Sequence, residues 1–246
     1  MKLLDNATLN EVSNIISSHA NDCSIDLKLE SYSTKMVSTD KKSWKKNMSN
    51  PASEYQAISV PEDTFSSSLT TLSPFGTYTR RFRHYSERSL SGSDNDTDEN
   101  VTQNFAGTVS RKVLFNLNQT LNTAFCDYDF SYRTASSYLY YPNFEQVKEI
   151  VDKHLSATVD SYSNKLHINL WGAIEEEICP SKCNIYSYIT SNESDPFNED
   201  GVMWSLNFLF FNKTLRRILL FSVRAIHQNS SEEESEDVEY VMDYQD

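Results

Sequence analysis

The chain has 246 residues, enough for one sizeable domain or two small ones, and a formal net charge of −13. Residues 228–246 carry eight acidic groups and no basic one, so the remainder stands at −5. Affinity for a phosphate backbone scales with cationic contacts, so this balance argues against direct sequence-specific nucleic-acid binding and for a protein partner whose surface is basic or patterned in sign.

No apolar run reaches the roughly 20 residues of a membrane helix, and Asp5 and Asn6 interrupt the N-terminus before a signal-peptide core can form. Cys23, Cys126, Cys179 and Cys183 do not make a disulfide framework in a chain of this length. These features predict a reduced, nucleocytoplasmic protein.

In chain order, residues 1–36 predict a helix and a strand. Thr8-x-x-Glu11 has the form of a capping box, followed by Leu9, Val12, Ile15 and Ile16 on one helical face. Ile25, Leu27 and Leu29 then alternate with Asp26, Lys28 and Glu30, as in a half-buried strand. From 37 to 109 the pattern fails. Serine and threonine supply 22 of these 73 residues, too little apolar surface to offset the entropy of ordering, so the segment reads as a Ser/Thr-rich mobile insert. Order resumes with a helix over 110–125 behind a serine cap, with Leu114, Leu117, Leu121 and Phe125 on one face; "CDYDFS" reads as a turn or short extended piece. Further helices are expected from Asn143 to Ala157 and from Ile168 to Ile178, the latter stopping before Pro180. "CNIYSYIT" reads as a strand, "SNESDPFNEDG" as a loop, and "WSLNFLFFNKTLRRILLFS" (204–222) as a hairpin around a basic turn. Consecutive apolar residues in that hairpin predict cover on both faces, by helices on at least one. Residues 228–246 read as an acidic disordered tail.

The chemistry-bearing patterns are sparse. Five glycines form no phosphate-cradling loop, and the five histidines lie apart, outside any metal or nucleophile motif. Cys179-x-x-x-Cys183 is half of a zinc pattern at most, and packing explains it better, since a structural site takes four ligands. Glu175, Glu176 and Glu177 read as a solvated helix face, because nothing adjacent raises a carboxyl pKa. The expectation is a protein without catalytic residues, metal or cofactor. More specific is "RRFRHYSERSLS": Arg81 and Arg83 stand at −5 and −3 from Ser86, and Arg88 at −3 from Ser91, spacings that suit the acidic groove of a basophilic kinase. Ser89 and Ser93 lie alongside and the proline-directed Ser73 upstream. Lys41, Lys42, Lys45 and Lys46 form a small basic cluster of the nuclear-import type.

Three blocks, 1–36, 110–131 and 170–226, resemble the Maf family of repressors of RNA polymerase III. The Pro-Asp-Tyr-Asp-Phe-Ser signature of that family is matched by Asp127, Tyr128, Asp129, Phe130 and Ser131, with Cys126 in place of the proline. Its hairpin signature is matched by Trp204, Ser205, Asn207, Phe210, Asn212 and Lys213. The resemblance implies a single α/β (α+β) domain with a mainly antiparallel sheet packed by helices, assembled from 1–36 and 110–227 around the insert. It implies a non-enzymatic protein that binds RNA polymerase III and blocks its recruitment to promoter-bound initiation factor. Transfer RNA and 5S ribosomal RNA synthesis would then fall under nutrient limitation or stress. It also implies control by nutrient-responsive kinases of the target of rapamycin type and by phosphatases, with the dephosphorylated form shifting from cytoplasm to nucleus. A kinase-regulated adaptor with a different client is the alternative. Neighbouring Arg216 and Arg217 should point to opposite faces, so that at least one reaches solvent. With Lys35 and Lys213 they are the expected partner-binding residues.

Overall fold

Two of the sheet's three eleven-residue strands pair with each other although the sequence holds them far apart. A computed structural model of the protein describes residues 1–48, 54–61, 107–190 and 195–227. Within it β2 (Cys23–Ser33) runs antiparallel to β8 (Arg217–His227), in register from Cys23 opposite His227 to Ser33 opposite Arg217. On its other side β8 pairs with β7 (Val202–Asn212), closing the expected hairpin. With β1 (Lys2–Leu4), β5 (Tyr138–Tyr141) and β6 (Asn184–Tyr188) they form one six-stranded sheet of order β1-β2-β8-β7-β6-β5, antiparallel throughout.

Both faces of this sheet are covered. Period-two alternation sends Ile25, Leu27 and Leu29 of β2, with Leu219 and Phe221 of β8, to a face roofed by α1 (Ala7–Ser18), α4 (Phe144–Thr158) and α5 (His167–Ile178). The intervening Ile218 and Leu220, with Leu209 and Phe211 of β7, meet α3 (Arg111–Ala124) and a set of aromatic rings. Helices thus lie on both sides, one more than the hairpin pattern requires. Each such fully buried aliphatic or aromatic side chain contributes roughly 1.5–3 kcal/mol.

The helix ends follow local chemistry. Ser110 Oγ accepts from Val113 N (3.3 Å) and Asn143 Oδ1 from Glu145 N (3.0 Å), capping α3 and α4. For α1 the capping-box expectation is corrected: the cap is Asn6, whose Oδ1 accepts from Thr8 N (3.0 Å) and Leu9 N (3.3 Å). A π-helical turn, Tyr162–Leu166, feeds directly into α5, which ends at Cys179 in a left-handed conformation just before Pro180.

The expected unpatterned segment 37–109 is also corrected at both margins. Residues Ser38–Met48 form α2, and β3 (Tyr55–Ala57) pairs with β4 (Thr108–Ser110) in a two-stranded sheet. Ile58 N donates to Gly107 O (2.9 Å), so the chain leaves and rejoins the fold at one point on either side of 62–106. Ser73, Ser86, Ser89, Ser91 and Ser93 lie outside the described residues, as do 228–246.

Candidate functional site

The turn between β7 and β8 is built from its own backbone outward. Asn212, buried at the end of β7, donates through Nδ2 to Ile178 O (2.9 Å) and accepts at Oδ1 from Leu215 N (3.0 Å), the short polar side chain standing in for a turn residue. Arg216 closes the turn at φ 51°, donating its N–H to Lys213 O (3.2 Å). Lys213, Thr214, Leu215 and Arg216 are all exposed.

The β2–β8 ladder runs one bond past its last paired residue, Thr34 N to Arg216 O (2.9 Å), which sets the exposed Lys35 beside this turn. Exposed Lys2 pairs opposite Ser33 at the same end of the sheet. Three residues beyond Lys35 the chain enters α2. Asp40 in its first turn is buried; it accepts from Val37 N (3.1 Å) and forms an ion pair with the Met1 ammonium (3.2 Å). Trp44 packs edge-on against Phe115 of α3, with ring centroids 5.1 Å apart, and Lys41, Lys42, Lys45 and Lys46 face solvent.

The fold therefore gathers residues that the sequence separates. Three of the four partner-binding candidates, Lys35, Lys213 and Arg216, share one end of the sheet, and the four nuclear-import lysines follow Lys35 on α2. Asp40 is the single acidic residue in 31–48 and 211–217, and it is already neutralised. None of Lys35, Lys213 and Arg216 forms an ion pair among the described residues. In a chain of net charge −13, these residues make a cationic face, bordered on the Arg217 side by Glu177.

Arg217 takes a different part. Its guanidinium donates to Glu177 Oε1 (2.9 Å), the same oxygen that accepts from Ser31 Oγ (2.6 Å), while Glu177 Oε2 accepts from Asn6 Nδ2 (2.8 Å). Glu177 is thus a joint between α1, β2, α5 and β8, which corrects its reading as one of three solvated carboxylates; Glu175 and Glu176 do face solvent.

The signature residues behind the family resemblance are structural. Phe130 N donates to Asn122 Oδ1 (2.6 Å) and Ser131 N to Asp129 Oδ1 (2.8 Å), and the Ser131 bonds hold the Asp129 carboxyl below its usual range. Tyr128 donates its hydroxyl to Glu199, which raises the phenol above its ordinary value. Glu199 in turn pairs with Arg224 (2.7 Å), and Arg224 with Asp26 (2.6 Å), tying the signature loop to the sheet. In the hairpin, Asn207 clips the β6 backbone, accepting from Tyr188 N (2.6 Å) and donating to Tyr188 O (3.0 Å). Of the hairpin signature, only Lys213 is fully turned to solvent as a charge. Exposed Cys126, where the family signature has proline, sits at the end of α3.

Among the described residues the titratable groups serve packing and hydrogen bonding. Cys183 donates to Ile178 O (3.4 Å), and burial pushes its thiol up to about 12, the opposite of a ready thiolate. Asp152 accepts from Tyr162, Trp171 and His167 in a shallow surface hollow on α4, where the Ser156 hydroxyl donates to the backbone oxygen of Asp152 (2.5 Å) rather than to His167. Among the described residues no group of three or more His, Cys, Asp and Glu is placed to hold a metal, and no helix is long and apolar enough to cross a membrane.

Comparison with known proteins places this architecture. A family model described as "Maf1 regulator" matches residues 25–222. The "Repressor of RNA polymerase III transcription maf1" of Schizosaccharomyces pombe is 29% identical over 235 residues, covering 94% of this chain and 85% of that protein. The "Repressor of RNA polymerase III transcription" of Dictyostelium discoideum is 36% identical over 121 residues, 49% of this chain and 43% of its own length. Two crystal structures of citrus MAF1 each superpose with a TM-score of 0.56. One is 20% identical and covers 90% of this chain and 99% of its own; the other is 25% identical and covers 89% and 98%. With its helix-packed antiparallel sheet and a family match spanning most of its length, this chain belongs to the Maf1 regulator family.

Proposed function

We propose that this protein is a negative regulator of RNA polymerase III transcription, acting without catalysis by binding the polymerase through its cationic face. Binding there keeps the polymerase from promoter-bound initiation factor and lowers transfer RNA and 5S ribosomal RNA synthesis. The carrying observation is the concentration of Lys35, Lys213, Arg216 and the α2 lysines at one end of an otherwise acidic chain. Such a face selects an acidic protein surface and speeds docking by long-range attraction. Control by phosphorylation is part of the reading. The stretch "RRFRHYSERSLS" carries +3, or +4 with His84 protonated, and two phosphates of about −1.5 to −2 each bring it near zero. Loss of that charge weakens the polymerase or nuclear-import contacts it makes, so the dephosphorylated protein accumulates in the nucleus and represses.

The test is copurification of the tagged chain with RNA polymerase III. Lys35→Glu, Lys213→Glu and Arg216→Glu together should lower recovery at least several-fold with the melting temperature nearly unchanged, since exposed charges contribute little to stability. Recovery equal to that of the unaltered chain overturns the assignment of this face. Recovery of other clients without polymerase subunits overturns the function. Ser86→Ala with Ser91→Ala should raise nuclear content and depress transfer RNA synthesis in fed cells; no change in either would remove these serines from the scheme.

A further inference from the structure

The cationic face has a complementary segment in its own chain. Residues 228–246 carry eight carboxylates and no cation, and their last part, Val-Glu-Tyr-Val-Met-Asp-Tyr-Gln-Asp (238–246), interleaves Glu239, Asp243 and Asp246 with five apolar or aromatic residues. The face has the matching mixture: Leu215 is 44% exposed and Val37 40% exposed among Lys35, Lys213 and Arg216. The α4 lysines lack this arrangement: Lys148 and Lys153 share their hollow with Glu145, Glu149 and Asp152.

Geometry decides which part of the segment can arrive. Residue 228 follows His227, at the opposite end of β8 from the basic turn. From His227 back to Arg217 is about 33 Å at strand spacing, a distance that about ten extended residues cover. About ten residues beyond His227 would span that return at full extension, which leaves 238–246 for contact with Lys35, Lys213 and Arg216. A flexible tether of about ten residues averages only about 17 Å end to end, so contacts made by the later residues, Asp243 and Asp246, leave it slacker and are favoured over those of Glu239.

We propose that residues 238–246 dock in cis on the face formed by Lys35, Lys213, Arg216 and the start of α2, and that they compete there with the acidic surface of the polymerase. The competition rests on the reading of this face as the polymerase contact; the docking does not. Because the attraction is between solvent-facing charges, it weakens as salt rises.

Zero-length carbodiimide coupling of the full chain, followed by peptide mass spectrometry, tests the docking directly. The expected products join Glu239, Asp243 or Asp246 to Lys35, Lys213, Lys41 or Lys42 within the monomer. They should survive tenfold dilution at about 20 mM salt and disappear at about 0.5 M, where the screening length falls below 5 Å. Coupling to Lys148 and Lys153 in equal yield, coupling confined to dimers, or no coupling at all overturns it. The second arm changes Glu239, Asp243 and Asp246 to their amides in the full chain and measures polymerase binding, which should strengthen several-fold. Coupling as expected with unchanged polymerase binding would leave the docking standing and overturn the assignment of this face to the polymerase. Absent coupling with polymerase binding still dependent on Lys35 would do the reverse.

Discussion

Replacing Glu177 by alanine should destabilise the protein by about 3 kcal/mol, although it lies in a run of three glutamates on a helix. The Glu177 side chain is only 10% exposed and accepts from three elements at once. Arg217, 40% exposed, rehydrates when the carboxylate is lost, so its pair is worth about 1 kcal/mol or less. Ser31 is 1% exposed and has no such recourse; leaving its hydroxyl unbonded costs about 1–3 kcal/mol. Asn6 adds roughly 0.5–1.5 kcal/mol. Glu177→Gln separates charge from geometry. It keeps an acceptor for Ser31 and Arg217 but sets an amide donor against Asn6 Nδ2, and Asn6 cannot reverse its amide without withdrawing Oδ1 from the N–H groups of Thr8 and Leu9. Its loss should be smaller, about 1–2 kcal/mol. Urea unfolding followed by circular dichroism reads both as shifts of midpoint at constant slope. A loss below about 0.5 kcal/mol for the alanine variant, or a glutamine variant at least as destabilised, would refute the idea that this carboxylate joins the elements.

Two further outcomes follow from the sheet and its loops. Fragments 1–61 and 107–227, coexpressed, should form a soluble complex, whereas 107–227 alone exposes the full edge of β8; equal urea midpoints for the lone fragment and the complex would show that β2 is dispensable. Burial raises the carboxyl of Asp195 above 3.8, opposed by the Phe197 N–H bond, by Tyr188 and by Arg133. Between 3.8 and the raised folded value the native chain holds more protons than the unfolded one, so this group's contribution to stability is lost as pH rises through that window. Asp195→Asn, which keeps an oxygen for Phe197 N (3.1 Å), should flatten the slope and leave the chain more stable near neutral pH; an unaltered pH profile would contradict the assignment.

Elements whose pattern is local were legible in the sequence. The alternation of Ile25, Leu27 and Leu29 and the helical spacing of Val147, Val151 and Leu155 declare β2 and α4 because burial on one face leaves a period behind. What escaped is held by distant partners. In residues 38–48 the apolar content is little more than Trp44, so no period marks α2; it is anchored by Phe115 and by the Met1 ammonium, remote in sequence. Three-residue β1 is too short to show alternation, and Glu177 looks solvated until Asn6, Ser31 and Arg217 are brought to it. Of the basic face, Lys213 and Arg216 were visible as a polar break between apolar runs. Their junction with α2 depends on the β2–β8 register, which sequence does not state.

That register also sets a timetable for synthesis. Ser33 and its partner Arg217 stand 184 positions apart, so the side of β2 that β8 covers emerges from the ribosome long before its partner. At about 5–20 residues per second, the edge bearing Ile25, Leu27 and Leu29 waits roughly 10–40 s, open to any other strand or chaperone. Only when β8 arrives, at the end of the described residues, can it zip onto β2. A nascent chain stalled before residue 217 would therefore display an open strand edge eleven residues long, and its fate would be set by chaperone supply rather than by the stability of the finished fold.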